Sequence, residues 1–177
     1  MKKQNYITNV ALSAMFLALA YVLPFLTGQV PQIGSMLCPM HVPVLLCGFV
    51  CGAPWGLVVG FVAPLLRSLT LGMPALFPQA VSMAFELAVY GLVSGLMYRV
   101  LPKKKTSVYI SLIIAMIAGR IIWGFVRLIC AGFDFSQFGI AAFWAGAVTN
   151  AIPGIILQLV IIPVAVILLE KAKFIKK

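Results

Sequence analysis

The sequence predicts an all-α integral membrane protein, a single six-helix transmembrane domain over residues 1–177 with both termini in the cytoplasm. Three observations predict it. First, 63% of the 177 residues are hydrophobic and the mean hydropathy is +1.14. Second, only 9% are charged, against about 25% in an ordinary soluble domain. A soluble fold of this length cannot hide that much apolar surface, which excludes a disordered chain, a nucleic-acid-binding domain and a soluble enzyme. Third, the positive charge is clustered. Of thirteen Lys and Arg, ten are Lys2, Lys3, Arg99, Lys103, Lys104, Lys105, Lys171, Lys173, Lys176 and Lys177. They occupy the two termini and one central loop, the pattern of the positive-inside rule and not of a basic nucleic-acid face. Six spans put all ten on one side, whereas five or seven would send one terminus with its lysines outside. At about 20 residues each, six spans use roughly 120 and leave short loops.

Residues 4–66 carry no formal charge apart from neutral His41. That stretch is too long for one span and long enough for three short ones. The first span runs from about Ile7 to Leu23 and stops near Pro24, where a missing N–H ends the helix. It follows the basic start Met1-Lys2-Lys3 and is read as a retained helix, not a cleaved signal peptide. Thr27 to Pro39 holds Gly, Pro, Gln and Ser and reads as a loop. The second span starts near Met40 and ends at Gly52. Ala53-Pro54-Trp55-Gly56 reads as a tight turn, and the third span runs from Trp55 to about Leu71, kinked near Pro64.

Gly72 to Pro78 is a second loop. The fourth span runs from Gln79 to about Tyr98, the basic loop from Arg99 to Thr106, and the fifth span from Ser107 to about Ala131. Phe133 to Phe138 is a short polar turn with Asp134, and the sixth span runs from Gly139 to about Leu169, interrupted at Pro153 and Pro163. The second and third spans are short and rich in Gly and Pro. Such segments often flank a transporter's binding site, or they are tilted or re-entrant packing elements.

A charge in mid-membrane costs on the order of 3 kcal/mol on insertion scales, and Arg67, Glu86, Arg120 and Arg127 incur it. At 1.5 Å per residue, Arg67 and Arg120 lie roughly 18 and 20 Å above the cytoplasmic turns, Glu86 roughly 10 Å and Asn150 roughly 16 Å below the outer edge. Four helices thus place polar groups at similar height. Arg120 and Arg127 are seven apart and share a face, as do Gln79 and Glu86, with Tyr90 one turn on and Trp123 near Arg120. The sixth span carries a small-residue stripe through Gly139, Ala142, Gly146, Asn150 and Pro153, which permits close helix approach or lines a cavity. Two readings follow. Either Glu86 pairs with Arg67 or Arg120 and fixes the bundle while Arg127 snorkels outward, or the group lines an outward-opening cavity. In the second, three arginines against one glutamate leave positive charge that a small carboxylate or phosphate neutralises. The candidate binding residues are Arg67, Gln79, Glu86, Tyr90, Arg120, Trp123, Arg127 and Asn150. With apolar walls, that set suits an amphipathic small molecule.

Ala11, Ala14 and Ala18 lie at i, i+3 and i+7 on the first span. They let another helix approach closely, inside the bundle or from outside it. No cofactor or metal is expected. Cys38, Cys47, Cys51, Cys130 and His41 match no zinc spacing and read as small apolar packing residues with a lone histidine. There is no Walker A loop, Gly91-Leu92-Val93-Ser94-Gly95 has the wrong spacing for an intramembrane serine nucleophile, and three acids are too few for a carboxylate–metal protease. The chain is not read as an enzyme.

Size, span count and basic central loop together resemble the substrate-binding S components of energy-coupling factor (ECF) vitamin transporters. Ala14-Met15-Phe16-Leu17-Ala18 is similar to the family's Ala-x-x-x-Ala motif in the first helix, and the run His41-Val42-Pro43-Val44-Leu45-Leu46, with Gly-rich second and third helices after it, resembles many S components. Gly72-Met73-Pro74-Ala75-Leu76-Phe77 resembles the loop after the third helix in the pantothenate-type branch. The resemblance implies a prokaryotic, multi-pass plasma-membrane protein that binds a vitamin near its outer face. It implies as partners a T component, contacted through the alanines, and two ABC-type ATPase subunits that power toppling. The surplus arginines favour an anion, with pantothenate as first choice, over cationic thiamine. A stand-alone secondary transporter and a non-transporting scaffold or assembly factor are the alternatives.

Overall fold

The computed structural model describes residues 6–27, 34, 36–102, 104–134, 138–147 and 149–172. The terminal lysines other than Lys171, together with Lys103, parts of the loops predicted over 27–39 and 133–138, and the chain ends, lie outside the described residues. The α-helices include, among the described residues, α1 Tyr6–Val22, α2 His41–Cys51, α3 Ala53–Leu71, α4 Val81–Val100, α5 Lys105–Cys130, α6 Ile140–Ala147 and α7 Ile152–Lys171. No strand occurs among the described residues.

Among the described residues, five stretches are long and apolar enough to cross a membrane: Tyr6–Leu26, Ala53–Leu71, Leu76–Val100, Lys105–Cys130 and Ile140–Lys171. The second expected span is the exception. Helix α2 has 11 residues, about 16 Å at 1.5 Å per residue, half of a hydrocarbon core about 30 Å thick. Ten of its residues are buried, so it is a plug within the bundle rather than a lipid-facing rod.

Three local expectations are corrected. Ala53-Pro54-Trp55-Gly56 is not a turn; it is the first turn of α3, with Pro54 where its missing N–H costs nothing. Gly52 alone makes the break, at φ 93°, a backbone conformation that a Cβ disfavours. The sixth span is broken by a 3-10 turn at Thr149–Ala151, ahead of Pro153, which opens α7. Pro163 lies inside a continuous α7.

Helix α4 is the centre of the bundle, packed against α2, α3 and α5. Lipid tails are as apolar as leucine, so close packing holds such helices together, not the expulsion of water. Helices α3 and α4 therefore meet through backbone: a Cβ built on Gly56 would lie 2.6 Å from the Gly91 carbonyl oxygen. Nothing there is a flexible side chain that can move aside. Gly56→Val is expected to force α3 from α4, reducing folded yield and lowering the melting temperature by 10 °C or more, consistent with overpacking penalties of about 1–3 kcal/mol or greater. An unchanged melt in detergent would show that the contact is dispensable.

Helix α1 packs on α2 and α3 through Ser13, Phe16 and Ala20. Ala11, Ala14 and Ala18 are exposed on its opposite face.

Candidate binding cavity

A cavity of about 830 Å³ lies at the end of the bundle that carries the Gly72–Ala75 link, away from the basic Arg99–Lys105 connection. Periodicity explains its walls. Gln79, Met83 and Glu86 stand on successive turns of the segment entering α4, and Arg120, Trp123 and Arg127 stand on one face of α5. Arg67 comes from the last turns of α3, and the small residues Ala142, Ala145 and Gly146 of α6 keep the far wall open. A Cβ on Gly146 would meet the edge of the Trp123 ring, so the glycine makes room for that indole against α6.

Seven of the eight binding residues expected from the sequence line this one cavity: Arg67, Gln79, Glu86, Arg120, Trp123, Arg127 and Asn150. Asn150 is exposed and sits at the rim. Tyr90 is the one placed elsewhere. It is fully buried one turn below Glu86, its ring 5.2 Å from the His41 ring at 65°, and it does not line the cavity.

The charges have three different settings. Glu86, 1% exposed, accepts from Arg120 Nη1 at 3.0 Å. His41 Nε2 approaches the same oxygen at 3.4 Å. Of the two pairings open to Glu86, the structure makes the one with Arg120. Arg67 is 3% exposed and donates from Nη1 to the Tyr21 carbonyl at 2.6 Å. Its guanidinium also lies 4.9 Å from the Phe25 ring centre. Arg127 does not point away from the bundle; it lies 5.8 Å from the Trp123 ring and 5.6 Å from the Phe138 ring, within the cavity wall. Aromatic faces stabilise a guanidinium without neutralising it. Glu86 is the one acidic side chain among the lining residues, against three arginines. The wall can therefore accept a negative group in a pocket whose remaining surface is mostly Met, Pro, Ala, Gly and aromatic, with Gln79 and Asn150 as neutral polar groups.

The family model of the ECF transporter substrate-specific component matches residues 8–166. The chain belongs to that family. No curated protein and no solved structure matches it significantly. As a substrate-specific component it is a membrane-embedded subunit of a transporter. Among the described residues no group of three His, Cys, Asp or Glu is placed to hold a metal.

Sequence reasoning about this substrate-specific component passed over His41, Cys38 and Phe138, all of which line the cavity. His41 carried a usable signal: it is the single histidine of the sequence, set in a stretch without formal charge, and stands at the start of a helix. Cys38 and Phe138 carried none, because they reach the cavity from links between helices.

Proposed function

We propose that this substrate-specific component captures a small anionic vitamin or vitamin precursor, pantothenate first among them, in the 830 Å³ cavity. The observation that carries the reading is three arginines facing one glutamate across a single mostly apolar cavity. The ligand's carboxylate lies toward Arg67 and Arg127, the two arginines that Glu86 does not hold, and Gln79 and Asn150 supply neutral hydrogen bonds. Pantothenate offers one carboxylate and two hydroxyls to such a set. In this reading the chain crosses the plasma membrane of a prokaryote six times, with α2 as a short second span, both termini cytoplasmic and the cavity outward. The subunit topples against the T component, and two partner ATPases drive the cycle.

Mass spectrometry of the small molecule that co-purifies with detergent-solubilised protein tests the reading, followed by titration with pantothenate. A stoichiometric vitamin names the substrate. Folded protein that is empty and ignores a vitamin panel sinks it. Uptake must also vanish when the ATPase partners are omitted; uptake that persists makes the chain a stand-alone carrier.

The exposed alanine face of α1 supports a partner helix there. Ala14→Leu is expected to leave ligand titration unchanged and reduce uptake by the assembled transporter at least tenfold. Equal uptake by the variant would move the partner contact elsewhere.

A further inference from the structure

A second void, of about 440 Å³, lies behind the binding cavity between α5 and the α6–α7 arm. Arg120 lines both spaces. The geometry of the arm explains why the void exists. Near the cavity end the helices touch: Phe143 lies over Gly124, and Trp123 over Gly146. Farther along they separate, leaving Ile117 and Ile121 facing Ala147 and Leu159 across a gap, with Trp144 at one side and Tyr90 at the floor.

Water is a poor occupant of this gap. A buried water needs two to four polar partners. The polar side chains on the wall are Tyr90, the indole of Trp144 and Arg120; the Tyr90 hydroxyl and Arg120 Nε are buried and closed off from the gap, whose surface is almost wholly apolar. An empty gap is costly as well, since its lining forfeits dispersion contacts on one side. Ile117 and Ile121 are 57% and 59% exposed, so the apolar wall continues without interruption onto the outer surface of a membrane-spanning helix. At that depth the surrounding medium is hydrocarbon.

We propose that the gap holds one phospholipid acyl chain as a resident ligand. The chain completes the side wall of the binding cavity, covers the aliphatic stem of Arg120 and holds the α6–α7 arm at its distance from α5. This assignment stands on the apolar gap and does not depend on which vitamin the cavity takes.

The test is fluorescence quenching by phosphatidylglycerol brominated at mid-chain, added to delipidated protein in detergent. The emission lost in Trp144→Phe defines the Trp144 signal, and Trp55→Phe defines that of Trp55, which packs at a tilt against Tyr6 on α1 away from the gap. Trp144 is expected to be quenched saturably at about one lipid per protein, with Trp55 unaffected in that range. Ala147→Leu and Ile117→Phe fill the gap from opposite walls; each should raise the half-saturation concentration about tenfold or more. Ile117 is exposed, so its variant keeps the core packing intact even if Ala147→Leu misfolds. Quenching that climbs without saturation and is identical in both variants would overturn the proposal. So would recovery of Trp144 emission on adding a cavity ligand that carries an alkyl arm, because the gap would then belong to that ligand.

Discussion

Arg67→Gln is expected to weaken binding of an anionic ligand about 10- to 150-fold, with the protein still folded. A hydrogen bond to a charged group contributes about 1.5–3 kcal/mol, which converts to that range. The fold should survive because the substitution removes a charge that is costly to insert, which offsets the bond to the Tyr21 carbonyl that the shorter glutamine gives up. Arg127→Gln should act in the same direction, since its guanidinium is held over Trp123 and Phe138 by its face alone and not by geometry that glutamine can copy. Titration calorimetry with pantothenate and with an uncharged amide analogue separates charge from shape. The variants should lose affinity for the acid and change little for the amide. Unchanged affinity for the acid in both folded variants would make the arginines structural and remove the basis for an anionic substrate.

Glu86→Ala should have the largest effect on the fold itself. Glu86 is buried between α2 and α5, joined to His41 and Arg120, so its removal leaves the Arg120 charge uncompensated in a low-dielectric interior. Breaking one side of a buried ion pair typically costs about 3–5 kcal/mol. Low yield, aggregation in detergent and a sharply lower melting temperature are the expected signs. Replacing both partners, Glu86→Gln with Arg120→Gln, should recover most of that loss, because no unpaired charge remains. A double variant as unstable as Glu86→Ala would show that the residues act separately. The same double variant should retain Arg67 and Arg127 as the anion-facing pair, so binding should survive in weakened form.

The sequence announced the polar cluster because charged residues inside apolar helices are conspicuous. Arg67, Glu86, Arg120 and Arg127 were found by cost, and Gln79, Trp123 and Asn150 by helical spacing from them. Tyr90 is placed apart from the other seven. It lies one turn beyond Glu86, and along a helix a face can leave one environment and enter another; here it passes below the cavity floor and faces the second void. Spacing also had nothing to offer for Cys38 and Phe138, which sit in links and follow no period.

Alone, the sequence determined the membrane class, the helical content, the position of nearly every helix and the family to which the chain belongs. These follow from composition, apolar run length and charge placement, which act locally and leave local marks. Tertiary structure decided the rest. It showed that α2 is a half-length buried plug, that Glu86 pairs with Arg120 rather than Arg67, and that Ala11, Ala14 and Ala18 face away from the bundle. It also opened a gap beside Arg120 where α5 and the α6–α7 arm diverge. Each of these depends on how helices rotate and approach one another. One residue turns a helix face by about 100°, and in lipid the contact of backbones through glycines such as Gly56 and Gly91, a feature of pairs and not of single segments, sets that rotation.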